Sequence, residues 1–152
     1  MKLWKIMAVS ALVFSGTTMA ADFGGQGGQG GGSSAPVFQA TSWGSEMQIY
    51  QEGSHNVANA AQTSAMNSLT DIDQHGRGNV ASTAQQGDRS ILAVDQLGSY
   101  NHADALQTGD KSKLLISQNG NGNFVTSTQS ANSSLVNIQQ VGSGNQAFAA
   151  QR

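Results

Sequence analysis

The sequence predicts an all-β fold: a β-solenoid of five stacked strand-turn-strand repeats forming two parallel, in-register sheets, preceded by a disordered Gly-rich N-terminal segment. Three observations carry this expectation. Six positions recur with a period of 22 or 23 residues, apolar and polar residues alternate on both sides of a glycine in every period, and Gln, Asn and Gly dominate a chain poor in charge. Of 152 residues only 11% are charged and 6% aromatic, whereas 17 are Gln, 11 are Asn and 19 are Gly. Neutral amides donate and accept hydrogen bonds at once, so identical copies stacked on one another attract where like charges would repel. With no cysteine, cohesion must come from backbone ladders and side-chain stacking rather than disulfides.

The first 20 residues read as a secretory signal. Lys2 and Lys5 precede an apolar run from Ile6 to Phe14, and Thr18-Met19-Ala20 offers small residues for cleavage before Ala21. A membrane span needs about 20 apolar residues, and Ser10, Ser15, Gly16, Thr17 and Thr18 interrupt this stretch. Cleavage leaves five basic against nine acidic residues, with no basic cluster, so nucleic acid is not an expected partner. Residues 21–44 are rich in Gly and Gln, too poor in apolar surface to offset the entropy of ordering, and are expected to be flexible, with Val37 to Gly44 a short junction. Pro36, the only proline, stands ahead of the repeats, where it removes no ladder donor.

The repeats occupy 45–67, 68–89, 90–111, 112–133 and 134–152, each spelling Ser-x5-Gln-x-Gly-x2-Asn-x-Ala-x3-Gln. The pattern falls on Ser45, Gln51, Gly53, Asn56 and Gln62; on Ser68, Gln74, Gly76, Asn79 and Gln85; and on Ser90, Gln96, Gly98, Asn101 and Gln107. It continues on Ser112, Gln118, Gly120, Asn123 and Gln129, and on Ser134, Gln140, Gly142, Asn145 and Gln151. The alanine position holds Ala58, Ala81, Ala103 and Ala147, with Val125 the single departure. Met47 and Ile49, Thr70 and Ile72, Leu92 and Val94, Leu114 and Ile116, and Val136 and Ile138 precede the first Gln by four and two residues, the period-two signature of a strand. Each repeat therefore reads as a strand, a tight turn at the glycine, and a second strand. The recurring Ser, Gln and Asn columns are expected to face inward as stacking ladders, with Gly53, Gly76, Gly98, Gly120 and Gly142 as turn glycines.

Nine large inward apolar residues make a sparse core for a unit of this size, and neither the first nor the fifth repeat carries a sequence signal for a capping helix or a blocking proline. Both ends should thus template further copies. The middle repeats carry acidic residues, Asp71, Asp73, Asp88, Asp95, Asp104 and Asp110, expected to act as gatekeepers against premature association, whereas the fifth is uncharged until Arg152.

With its signal, Gly-rich leader and five repeats, the chain resembles the curlin family over essentially its whole length, and the intact fifth repeat resembles the major structural subunits more than the minor nucleating ones. The resemblance implies a secreted subunit of a cell-surface amyloid fimbrium serving biofilm matrix and adhesion. It implies self-association as a homopolymer, nucleation by a minor curlin, a periplasmic chaperone, an outer-membrane secretion pore that reads the Gly-rich segment, and contact with host matrix proteins.

No enzyme activity and no cofactor is expected. His55, His75 and His102 read as solvated, with no cysteine and no repeated carboxylate nearby, and nothing in the Ser-rich repeats forms a nucleophile elbow. A soluble solenoid that reads a flat ligand is the rival from another class. It requires regular outward columns, whereas Glu46, Leu69, Ile91, Lys113 and Leu135 share one.

Overall fold

The computed structural model describes residues 37–41 and 44–152; the expected signal peptide and the leader up to Pro36 lie outside the described residues. The regular structure of the described residues is entirely β: β1 (Val37–Thr41), β2 (Glu46–Ser54), β3 (Val57–Thr63), β4 (Leu69–Arg77), β5 (Val80–Gln85), β6 (Ile91–Ser99), β7 (His102–Gln107), β8 (Lys113–Asn121), β9 (Phe124–Gln129), β10 (Leu135–Ser143) and β11 (Gln146–Gln151). Each repeat contributes its first strand to a five-stranded sheet, β10-β8-β6-β4-β2, and its second to a six-stranded sheet, β1-β3-β5-β7-β9-β11. The chain is a β-solenoid of five rungs.

Every pairing is parallel, and between repeats the register is set by the period. Ile49, Ile72, Val94, Ile116 and Ile138 form one column, and Ala58, Ala81, Ala103, Val125 and Ala147 another. A slip of one residue would turn each inward column to solvent, so the pattern of burial enforces the register. The core lies between the sheets, where Ile72, Leu92, Val94, Leu114 and Ile116 face the alanine columns, and Val125 is fully buried in the place otherwise given to a methyl group.

Two features depart from a regular five-rung stack. Residues 37–41, read from sequence as part of a junction, form β1 and pair with the outer edge of β3, so the six-stranded sheet gains a strand that no repeat supplies. Val37, Phe38 and Thr41 are strand-favouring residues, and an edge strand offers them a row of unpaired backbone groups. The two ends of the stack also differ. Met47 and Ile49 in the first rung are 5% and 7% exposed, whereas Val136, Ile138 and Ala147 in the fifth are only partly buried.

Candidate functional site

The repeated polar side chains form four ladders along the stack. In the five-stranded sheet, Gln51 donates through Nε2 to Gln74 Oε1 at 2.7 Å, and the relay continues Gln74 to Gln96 (2.7 Å), Gln96 to Gln118 (2.8 Å) and Gln118 to Gln140 (2.9 Å). The same amides cross to the other sheet, where Gln74, Gln96, Gln118 and Gln140 donate to the carbonyls of Val57, Val80, His102 and Phe124. A second relay runs Gln62 to Gln85 (2.8 Å), Gln85 to Gln107 (2.8 Å), Gln107 to Gln129 (2.9 Å) and Gln129 to Gln151 (3.2 Å). Gln74, Gln85, Gln96 and Gln107 are wholly buried, where a primary amide is tolerated only because its hydrogen bonds are met; Gln62 is as deeply buried.

The Asn and Ser columns tie side chain to backbone. Asn56, Asn79, Asn101 and Asn123 each accept through Oδ1 from the backbone N–H of the next Asn, ending at Asn145, at 3.0 to 3.1 Å. Their Nδ2 groups donate to the carbonyls of Gly76, Gly98, Gly120 and Gly142 one rung further on. Ser45, Ser68, Ser90 and Ser112 likewise accept from the N–H of the next Ser, up to Ser134. Ser68, Ser90 and Ser112 donate to the carbonyls of Gly87, Gly109 and Ala131.

The glycines expected at the turns instead lie one residue before the end of the first strand of each rung, paired with one another in the ladder, and nothing else fits there. Gly53, Gly76, Gly98 and Gly120 have φ between +115° and +135°, and a Cβ on any of them would lie 1.8 to 2.0 Å from the carbonyl oxygen of the glycine in the next rung. Gly142, with φ +111°, meets only Asn145 Nδ2 at 3.4 Å, because it is in the last rung.

The acidic residues divide into two sets. Asp71, Asp73 and Asp95 lie on the outer face of the five-stranded sheet, with Asp73 and Asp95 registered directly as like-charged neighbours. Burial, followed by the charge of Asp73, raises the carboxyls of Asp71 and Asp95 above the usual value near 3.8; Glu46 and Asp95 add to the shift at Asp71, while His75 partly offsets it at Asp95. Asp104 is exposed on the six-stranded sheet, in register with Ser82 and Thr126.

Asp88 and Asp110 belong to the loops between rungs and hold them: Asp88 Oδ1 accepts from Met66 N–H (2.8 Å), Asp110 Oδ1 from Asp88 N–H (2.9 Å), and Asn132 Oδ1 from Asp110 N–H (2.8 Å). Sequence reasoning missed this fifth ladder, although its signal was present in the Asp or Asn two residues before Ser90, Ser112 and Ser134.

The surroundings of His75 correct a second expectation. Register brings two carboxylates to it, Glu52 Oε2 at 3.1 Å from Nδ1 and Asp73 Oδ1 at 2.9 Å from Nε2, and the Tyr50 ring lies beside it. Glu52 is registered with His75, and Asp73 is two residues away on the same face of β4, a proximity created by pairing rather than by repetition.

All four repeat ladders are directional, so the two ends of the molecule are complementary. At the first rung, the Oε1 of Gln62 is buried and has no hydrogen-bond partner among the described residues. At the fifth, Gln151 uses its Oε1 to accept from Gln129, and its Nε2 has no acceptor among the described residues. Asn145 Nδ2, which in every earlier rung reaches a glycine carbonyl further on, bonds only back to Val141 O.

Fold and ladders define a β-solenoid repeat protein. No family model and no curated protein matches the chain.

Proposed function

We propose that this protein is the repeating structural subunit of an extracellular amyloid-like fibre of the curlin type, growing by head-to-tail stacking of solenoids. The observation that carries the reading is the directionality of the ladders: in both Gln columns the fifth-rung end presents the amide donors and the first-rung end the acceptors, and in the Asn and Ser columns each side-chain oxygen accepts from the backbone N–H of the rung that follows. Stacking the fifth rung of one copy on the first rung of the next continues each relay, Gln140 to Gln51, Gln151 to Gln62, Asn145 to Asn56 and Ser134 to Ser45. The partly exposed Val136, Ile138 and Ala147 are covered in the same step.

Secretion through an outer-membrane pore, periplasmic chaperoning, nucleation by a minor curlin, and roles in biofilm and adhesion follow from the sequence resemblance and belong to the same proposal. The outward columns stay irregular, Glu46, Leu69, Ile91, Lys113 and Leu135 lying in one register, which disfavours a regular ligand-reading face.

Time-resolved thioflavin fluorescence on residues 21–152, with and without preformed seeds, tests the reading. A lag abolished by seeds, and fibre reflections at about 4.7 and 10 Å, are expected; a chain that stays monomeric and unfolds cooperatively would overturn it.

A further inference from the structure

We propose that β1 is a replaceable strand and that the outer edge of β3 is the docking slot for β11 of a second copy, so that the fibre grows chiefly from the end bearing β10 and β11. The inference rests on the head-to-tail reading and adds to it a device that makes growth polar.

Within the six-stranded sheet, pairing between repeats starts at the position of Val57: Val57 with Val80, Val80 with His102, His102 with Phe124, and Phe124 with Gln146. The β1 pairing starts two residues later, at Asn59, and runs to Thr63. Among the described residues, Val57 and Ala58 have no registered partner on that side. The residues of β1 also break the columns they continue. Phe38 is registered with Ala60, in a column otherwise made of Thr83, Ala105, Ser127 and Ala149. Ala40 is registered with Gln62, and alanine has no amide to donate. The buried Gln62 Oε1, an acceptor that is filled from the preceding rung in Gln85, Gln107, Gln129 and Gln151, accordingly has no partner among the described residues.

The strand β11 supplies what β1 lacks. Placed in the inter-repeat register, Gln146 and Ala147 fall on Val57 and Ala58, where no described residue pairs, Ala149 on Ala60, and Gln151 on Gln62, where its Nε2 completes the relay. The outer edge of β2 has no paired strand among the described residues, so β10 of the incoming copy seats there first. β11 then enters at Val57 and Ala58 and displaces β1 from the rest of the edge. At the opposite end, β10 and β11 are edge strands with no further strand on them among the described residues, and a copy that folds as it docks has formed no β1 of its own. One end is therefore open and the other plugged.

Growth at the two ends of single labelled seeds, followed by fluorescence microscopy with residues 21–152, tests the proposal. Wild-type seeds are expected to have one fast and one slow end. Ala40→Gln seeds, which supply the missing amide to Gln62, should slow the slow end roughly two- to tenfold, the factor that one net amide hydrogen bond confers. Seeds with Val37→Gly and Phe38→Gly, which weaken β1, should speed it, and neither change touches the strands of the fast end. In hydrogen exchange, residues 37–41 should lose protection within filaments while 146–151 gain it. Equal rates at both wild-type ends, or a slow end indifferent to all these substitutions, would overturn the exchange and leave head-to-tail stacking standing. Absence of filaments altogether would sink both.

Discussion

Replacing one ladder glutamine by alanine should cost very different amounts at the middle and at the end of a free copy, and nearly the same in a filament. Gln96 is wholly buried; it accepts from Gln74 at 2.7 Å and donates to Gln118 Oε1 at 2.8 Å and to Val80 O at 3.0 Å. In Gln96→Ala, Gln74 Nε2 still reaches Val57 O, but Gln118 Oε1 and Val80 O lose their donor in a dry interior. Each bare acceptor costs about 1 to 3 kcal/mol, and the void left by the side chain adds on the order of 1 kcal/mol. The total is roughly 3 to 7 kcal/mol.

Gln51 is half-buried and makes a single ladder bond, to Gln74, so Gln51→Ala costs a free copy about 1 to 2 kcal/mol. Head-to-tail stacking turns Gln51 into an interior residue between Gln140 of one copy and its own Gln74, and its cost then approaches that of Gln96. For a chain that folds as it docks, the assay is the concentration left soluble when filaments have stopped growing, which rises tenfold for about every 1.4 kcal/mol lost from the filament relative to the unfolded soluble chain. Both variants should raise it by about a hundredfold or more. A large rise for Gln96→Ala with less than about a threefold rise for Gln51→Ala would mean that Gln51 stays at an open end in the filament, and would refute the continuous relay.

The ladder glycines provide a second contrast. Gly98→Ala brings a Cβ to 2.0 Å from Gly120 O and should abolish filaments, whereas Gly142→Ala meets no such clash in a single copy and bears only a φ strain of about 1 to 3 kcal/mol. Added in trace amounts to wild-type chain, Gly142→Ala should therefore dock and then block the end it caps, seen as an early plateau in seeded elongation. Acidification should stabilise the solenoid. Because the Asp71 and Asp95 carboxyls are raised above about 3.8 in the fold, chiefly by burial, their contribution is full below that value and is lost as pH rises through their folded values; the double Asn variant should flatten this dependence of soluble concentration on pH. In the loops, Asp88→Asn keeps the acceptor for Met66 N–H and should be nearly neutral, while Asp88→Ala should lose about 0.5 to 1.5 kcal/mol, measured in the same way.

Much of the architecture was legible in the sequence because a parallel, in-register stack makes each residue the neighbour of its own equivalent. The recurrence of Gln51, Gln74, Gln96, Gln118 and Gln140 is thus already a statement of contact, and the alternation of Ile72 with Asp71 and Asp73 already assigns inside and outside. The same logic fails for His75, whose own column reads Glu52, His75, Leu97, Asn119 and Val141, so that its meeting with Glu52 and Asp73 belongs to one rung alone. It also understated Asp88 and Asp110, whose charge drew attention away from their acceptor geometry.

Taken alone, the sequence determined the period, the two strands per rung, the inward columns and the class of fold, since all of these follow from translation of one unit along an axis. Only the tertiary structure decided which way each amide points along its ladder, how Val125 is taken into an alanine column, and that β1 occupies the edge of β3. A repeating pattern specifies the interior of a stack, where every rung has the same neighbours. The ends are where that symmetry is broken, and what lies there is set by backbone register and unmatched hydrogen bonds, which no periodicity records.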